Sequence, residues 1–245
     1  MTNNILILIG MLLVMATTLI KKSTPKLGPR QIKDVLYEQV ARIGKAASSP
    51  KRLELLELLC QGEMNVEQLA GEAQISIKLA SAHLSVLKAS SLVVFRREGK
   101  NIYYSLAAPE VAQFWVGIRT LAEARLLDLQ TALSQLVAGS GSLASMDRAA
   151  LLREAESGEV VVIDVRPETE YAAGHLPFAR SIPVAELRKR IAEIPQGKTI
   201  VAYCRGPFCL FASEAVSILT EAGHHALRLD DGVAEWQAQG MSINR

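Results

Sequence analysis

The stretch G-S-G-S-L-A-S at residues 139–145 divides the chain, because the hydrophobic patterns on its two sides belong to different secondary-structure classes. Before it, Ile32, Val35, Leu36, Val40 and Ile43 recur at helical spacing, and R-L-E-L-L-E-L-L-C at 52–60 is strongly amphipathic. After it, V-V-V-I-D-V at 160–165 is a short apolar run ending in an acid, as expected of a buried parallel strand. T-I-V-A-Y-C at 199–204 and A-L-R-L at 226–229 are two more, and helical stretches fit over 146–157, 185–194, 210–222 and 233–239. One layer architecture cannot serve both patterns. The expectation is two domains, a mainly α body followed by an α/β body with a parallel sheet, joined by a flexible Gly/Ser tether.

The boundaries expected are 1–27 for an apolar N-terminal segment, 28–138, 139–145 for the linker and 146–245. Ile5 to Ile20 form a weakly polar run followed by Lys21 and Lys22, just short of the ~17–25 residues that span a bilayer core. Two readings stay open: a membrane anchor through residues 5–20 with the body on the cytoplasmic face of the inner membrane, or a mis-called extension of a cytoplasmic protein. Residues 28–138 carry 13 basic and 11 acidic side chains, and residues 146–245 carry 11 and 14. The front half therefore permits nucleic-acid binding through a local patch without demanding it.

Within the front half, Ser49-Pro50 starts a helix, Asn65 caps a short one and Ser76 caps a longer one over 77–90. L-V-V-F-R-R-E-G-K-N-I-Y-Y-S-L at 92–106 then reads as a hairpin. Helix, short helix, turn, helix and hairpin is the plan of a winged helix-turn-helix. On the third helix, Leu79, Ala80, Leu84 and Leu87 form the expected buried stripe, which leaves Ser76, Lys78, Ser81, Ala82 and Ser85 toward solvent or DNA. His83 either touches phosphate or is a partly buried histidine. Arg96, Arg97 and Lys100 at the wing are read as phosphate contacts, against the alternative of a solvated loop. From Pro109 one long helix is expected to about Val137, with more apolar residues than a small domain covers, which points to a homodimer.

In the back half, Cys204 closes a strand, and R-G-P-F-C leads straight into a helix. Loop amides and the helix N-terminus converge there on an anion, and with Arg205 adjacent the Cys204 thiol is expected as thiolate. Gly206 permits the curl and Pro207 stiffens it. Only three cysteines occur in the chain, Cys60, Cys204 and Cys209. With no second cysteine pair and scattered histidines, neither a metal site nor a cofactor is expected. Cys60 reads as core.

Residues 146–245 resemble a rhodanese domain through I-D-V-R-P-E-T-E-Y-A-A-G-H-L-P-F-A-R-S-I-P at 163–183, Y-C-R-G-P-F-C at 203–209 and L-D-D-G-V-A-E-W at 229–236. The resemblance implies that Cys204 accepts a sulfane sulfur and holds it as a persulfide. The amides of Arg205, Gly206, Pro207, Phe208 and Cys209 would form the cradle (Pro207 lending shape rather than an N–H), supported by Asp164 and Arg166. Phosphatase relatives of that fold clamp an oxyanion with an arginine where this chain has Leu210, which argues for sulfur over phosphate. Cys209 either resolves an oxidised Cys204 or is a small packed residue. Residues 29–137 resemble the ArsR/SmtB repressors through A-S-A-H-L-S-V-L-K at 80–88 and R-R-E-G-K-N-I-Y-Y-S-L at 96–106, although Ser90-Ser91 replaces the usual Ala-Gly and the family's metal-sensing signatures are missing. That resemblance also implies an ordinary start near Leu27-Gly28.

The implied function is a homodimeric regulator that binds double-stranded operator DNA. Its appended domain would sense or transfer sulfur from a small donor such as thiosulfate or polysulfide. The alternative is a sulfurtransferase whose winged helix serves for dimerisation or docking.

Overall fold

The computed structural model describes residues 27–137 and 147–245. The apolar run 5–20 and the linker 139–145 lie outside them. Pro50 occupies the first turn of α2 (Pro50–Leu59), where a missing N–H costs nothing. Ser49 is extended there, but its side chain makes no cap; its carbonyl instead accepts from Arg52 and Leu53. Asn65 and Gln68 form a reciprocal capping box on α3 (Val66–Glu72). Ser76 Oγ accepts from the Leu79 amide at 3.2 Å and starts α4 (Ile77–Ala89). That helix ends at Ser91, whose φ of +57° is the left-handed stop.

Ala80, Leu84 and Leu87 are buried along α4, but Leu79 is 44% exposed. The expected four-residue stripe is therefore three wide, since one residue along a helix rotates a side chain by ~100°. Strands β2 (Val93–Glu98) and β3 (Asn101–Leu106) pair antiparallel around Gly99, at φ +59°, and β1 (Met64–Asn65) adds to β3. Before them, α1 (Pro29–Ala47) begins the described chain. The single helix expected over 109–137 is two, α5 (Pro109–Arg125) and α6 (Leu127–Val137). Leu126 is extended between them, and Gln130 Nε2 donates to the Glu123 carbonyl across the break at 2.7 Å. No Pro or Gly marks this break in the sequence.

The second half builds β4 (Val160–Asp164), β5 (Arg180–Ser181), β6 (Thr199–Tyr203) and β7 (His225–Arg228) into one parallel sheet, ordered β5-β4-β6-β7. Alternate residues face opposite ways, as the pleat dictates. Val161, Ile163, Ile200 and Ala202 pack on α9 (Val184–Arg190) and α10 (Phe211–Glu221). Val160, Val162, Val201 and Tyr203 pack on α7 (Arg148–Ser157) and α11 (Val233–Ala238). A short helix α8 (Glu168–Ala173) follows β4.

Among the described residues, those from Lys45 onward form one compact unit. The winged-helix elements and the parallel sheet thus pack together within a single unit rather than standing apart on a tether. Among the described residues, no helix is long and apolar enough to cross a membrane.

Candidate functional site

The loop 204–210 leaves the carboxyl end of β6 and enters α10, the position where open parallel sheets place their reactive groups. Gly206 adopts φ +139°, and the Cys209 amide closes the curl on its carbonyl at 3.1 Å. Behind the loop, Arg228 Nη2 donates to the Pro207 carbonyl at 2.9 Å. Gly232 is obligatory: a Cβ there would stand 2.7 Å from the Cys204 carbonyl oxygen. The D-G-V turn at 231–233 can therefore press on the loop only as glycine.

Burial opposes the thiolate expected at Cys204. Cys204 is 1% exposed, and burial pushes its thiol well up. Its Sγ faces the carbonyls of Gly206 at 3.9 Å and Cys209 at 3.6 Å, both of which favour the neutral thiol. A hydrogen bond from Cys204 lowers Cys209 to about 7 against its own burial, with help from the Arg205 and Phe211 amides. Nor is Arg205 available to Cys204. Its Nε and Nη2 bind Glu170 at 3.0 and 2.5 Å, and its Nη1 binds Glu72 at 2.7 Å. Backbone N–H groups of Gly206 and Ala212 do face Cys204, so the cradle exists although the resting thiol does not use it as an anion. Leu210 is 53% exposed.

Asp164 and Arg166 are fully buried and bound to each other, Nη2 to Oδ2 at 2.6 Å. Tyr203 donates its hydroxyl to Asp164 at 2.5 Å, and Arg166 also reaches the Gly174 carbonyl at 2.8 Å. Their link to the loop is indirect. Arg166 Nη1 donates to Gln61 Oε1 at 2.9 Å, and Gln61 Nε2 donates to the Arg205 carbonyl at 3.5 Å.

Gln61 belongs to the winged-helix elements, and it is one of several residues there that touch the loop. Glu72 on α3 holds Arg205. Arg119 on α5 donates to Glu235 Oε1 on α11 at 2.6 Å, and Glu235 Oε2 accepts from the Gly232 amide at 2.6 Å. Phe208, at the loop tip, meets Trp115 edge-on at 6.3 Å and lies 5.8 Å from the Arg119 guanidinium. Burial raises Glu57 on α2 to about 7, with Arg119 opposing and Cys209 and Glu235 adding to the rise. Burial likewise pushes the Cys60 thiol up, which suits a core role. Sequence reasoning missed Gln61, Glu72 and Arg119, since single polar residues on amphipathic helices carry no sign of a distant partner. Glu235 sat inside the quoted E-W motif without a role.

On the nucleic-acid side, Lys78 and Ser85 are exposed, and Ser81 and His83 are half-buried. Ser76 is exposed but commits its hydroxyl to the cap. Arg97 and Lys100 are exposed on the wing. Arg96 is not a free wing cation: Glu63 takes it at Nε and Nη2, Glu98 takes Nη1, and its guanidinium lies 4.7 Å from the Tyr103 ring. Among the described residues, no group of three or more metal-ligating side chains is brought together.

The rhodanese-like domain family matches residues 147–239, and the arsR family of bacterial regulatory proteins matches residues 49–93. The HTH-type transcriptional regulator Rv0324 of Mycobacterium tuberculosis is 44% identical over 217 residues, 89% of this chain and 95% of that protein. A protein named as a sulfurtransferase from Allochromatium vinosum is 30% identical over 92 residues, 37% of this chain and 84% of its own. A homodimeric winged helix-turn-helix DNA-binding domain from Mycobacterium bovis has 39% identity over 42% of this chain and 94% of that one, with a TM-score of 0.38. The match to the tuberculosis regulator runs through both halves and nearly the full length of both proteins. The chain belongs to the arsR family of bacterial regulatory proteins, as an HTH-type transcriptional regulator that carries a rhodanese-like domain.

Proposed function

We propose that this regulator is a DNA-binding homodimer whose rhodanese-like half takes a sulfane sulfur onto Cys204 from a small donor such as thiosulfate or polysulfide. The observation that carries the sulfur reading is the loop itself: Cys204 is buried at the end of β6 with its Sγ 3.6 Å from the Cys209 carbonyl, and Leu210 stands where a phosphatase would carry its arginine clamp. Cys209, held at about 7, is the base. As Cys204 attacks the outer sulfur of thiosulfate, its proton passes to the Cys209 thiolate. The Sγ–S bond forms, the donor S–S bond breaks and sulfite leaves. The products are the Cys204 persulfide anion and the neutral Cys209 thiol, so charge and protons balance. Splitting the transfer through a covalent carrier lowers each barrier.

The dimer rests on α1, where Leu36 and Val40 stand 62% and 70% exposed beside Ile32, Val35 and Tyr37. DNA binding through α4 and the wing follows the family. The experiment is sulfur transfer from thiosulfate to cyanide by the full chain, with mass spectrometry of Cys204. Wild type should show turnover and a gain of one sulfur atom, and Cys204→Ser neither. A wild type that gains no sulfur and forms no thiocyanate sinks the sulfur reading. Sedimentation as a monomer at micromolar concentration would sink the dimer.

A further inference from the structure

The loop that carries Cys204 is also a principal contact between the parallel-sheet half and the winged-helix half. Phe208 is seated between Trp115 and Arg119 of α5, the Arg205 carbonyl rests on Gln61, and its guanidinium is held by Glu72. Gly206 closes against the Arg119–Glu235 pair, where an added Cβ would stand 3.2 Å from Glu235 Oε2 and 3.3 Å from Arg119 Nη1. The loop has no slack on that side. On the inner side Cys204 Sγ is enclosed by the Gly206 and Cys209 carbonyl oxygens. A persulfide places a second sulfur ~2 Å beyond the first and makes it an anion. Those two carbonyl oxygens repel such an anion, and Cys204 at 1% exposure is closely surrounded by protein.

We propose that sulfur loading on Cys204 is read mechanically: the loop turns its carbonyls away from the added sulfur, and Phe208 leaves its seat between Trp115 and Arg119. This rests on the reading of Cys204 as a sulfur carrier. Helix α5 packs against α2 and the wing strand β3, and α2 packs against α4. The DNA-facing elements therefore lie one packed layer beyond the displaced ring. Phe208 is the positioning residue of this device, with docked and released seats as its two states. The chemical step is the transfer already balanced above, and the displacement adds no reactant.

The test is hydrogen exchange read by mass spectrometry on the full chain before and after treatment with sodium polysulfide, and again after cyanide removes the sulfur. Peptides covering 109–125 should exchange several-fold faster in the loaded protein and recover after cyanide. Cys204→Ser should not respond, and Phe208→Ala should show the faster exchange with or without polysulfide. A Cys204 that gains sulfur while 109–125 exchanges unchanged overturns the wedge and leaves the sulfur reading standing. If Cys204 gains no sulfur, the sulfur reading fails, and the wedge is judged on protein alkylated at Cys204 with iodoacetamide, where unchanged exchange over 109–125 overturns it. A native Cys204 that reacts with neither reagent overturns both.

Discussion

At the residue scale, the Cys204–Cys209 pair shows how burial and neighbouring groups act on two thiols of one loop. Both cysteines sit in the same short loop, yet burial pushes the Cys204 thiol up while a hydrogen bond from Cys204 lowers Cys209. Arg205, adjacent in sequence, spends its charge on Glu170 and Glu72. The expected consequence is a reactivity profile belonging to the pair. Iodoacetamide capture of the loop thiols should rise through about pH 7 in wild type. In Cys209→Ala the remaining thiol is the one that burial pushes up, so the rise should move to higher pH and the rate at neutrality should fall. Mass-resolved alkylation across neutral pH measures this, and an unshifted profile would show that Cys209 is not the base.

At the element scale, the wing separates cations that the sequence presents as equals. R-R-E-G-K placed Arg96, Arg97 and Lys100 within five residues, and all three read as phosphate contacts. In the β2–β3 hairpin, side chains alternate across the ribbon, so Arg96 turns toward Glu63 and Tyr103, while Lys100 sits in the two-residue turn between the strands. Replacing Arg97 and Lys100 together with alanine should weaken binding to the upstream region of the protein's own gene about tenfold or more and reduce its salt dependence. Arg96→Ala should leave the salt slope unchanged, because that charge is already neutralised by Glu63 and Glu98. Gel shifts at two salt concentrations decide it; an equal loss of slope for Arg96 would return it to the DNA contacts.

At the scale of the whole molecule, the two halves share buried ionisable groups. Glu57 belongs to the winged-helix half, yet Cys209, Glu235 and Arg205 of the other half all act on it. Its Oε1 is enclosed without a hydrogen-bond partner. Burial raises its carboxyl from 4.5 to about 7, so the folded protein holds this proton more tightly than the unfolded chain. The sign follows from linkage: the associated stability is full below about 4.5 and is lost as pH rises through about 7. Glu57→Gln keeps the shape and removes the ionisation. It should raise the melting temperature above neutrality, by the equivalent of up to ~3 kcal/mol, and change little in mild acid. Thermal unfolding at the two pH values tests it, and an equal effect at both would mean that Glu57 is ionised throughout.

Much of this was legible in the chain. The switch from a 3.6-residue to a strand pattern separated the helical body from the parallel sheet, Asn65 and Ser76 marked their helix starts, and E-G-K-N marked the hairpin, because each signal is local. Y-C-R-G-P-F-C marked the loop between β6 and α10 for the same reason: a strand end, a glycine and a helix start lie within a few residues. Other features needed the fold. The break at Leu126 carries no breaker residue, and Leu79 faces outward although it is as apolar as Leu84. The docking of the loop on α5 was the largest such surprise. A Gly/Ser linker implied loose tethering, but Gln61, Glu72 and Arg119 join partners 144, 133 and 116 positions away. The sequence by itself determined the two architectures and the loop that carries the cysteine pair, since periodicity, caps and turn residues act over a few residues. Only the tertiary structure decided how burial acts on each thiol and which helix feels the loop, because burial and long-range ion pairing depend on what packs above each group.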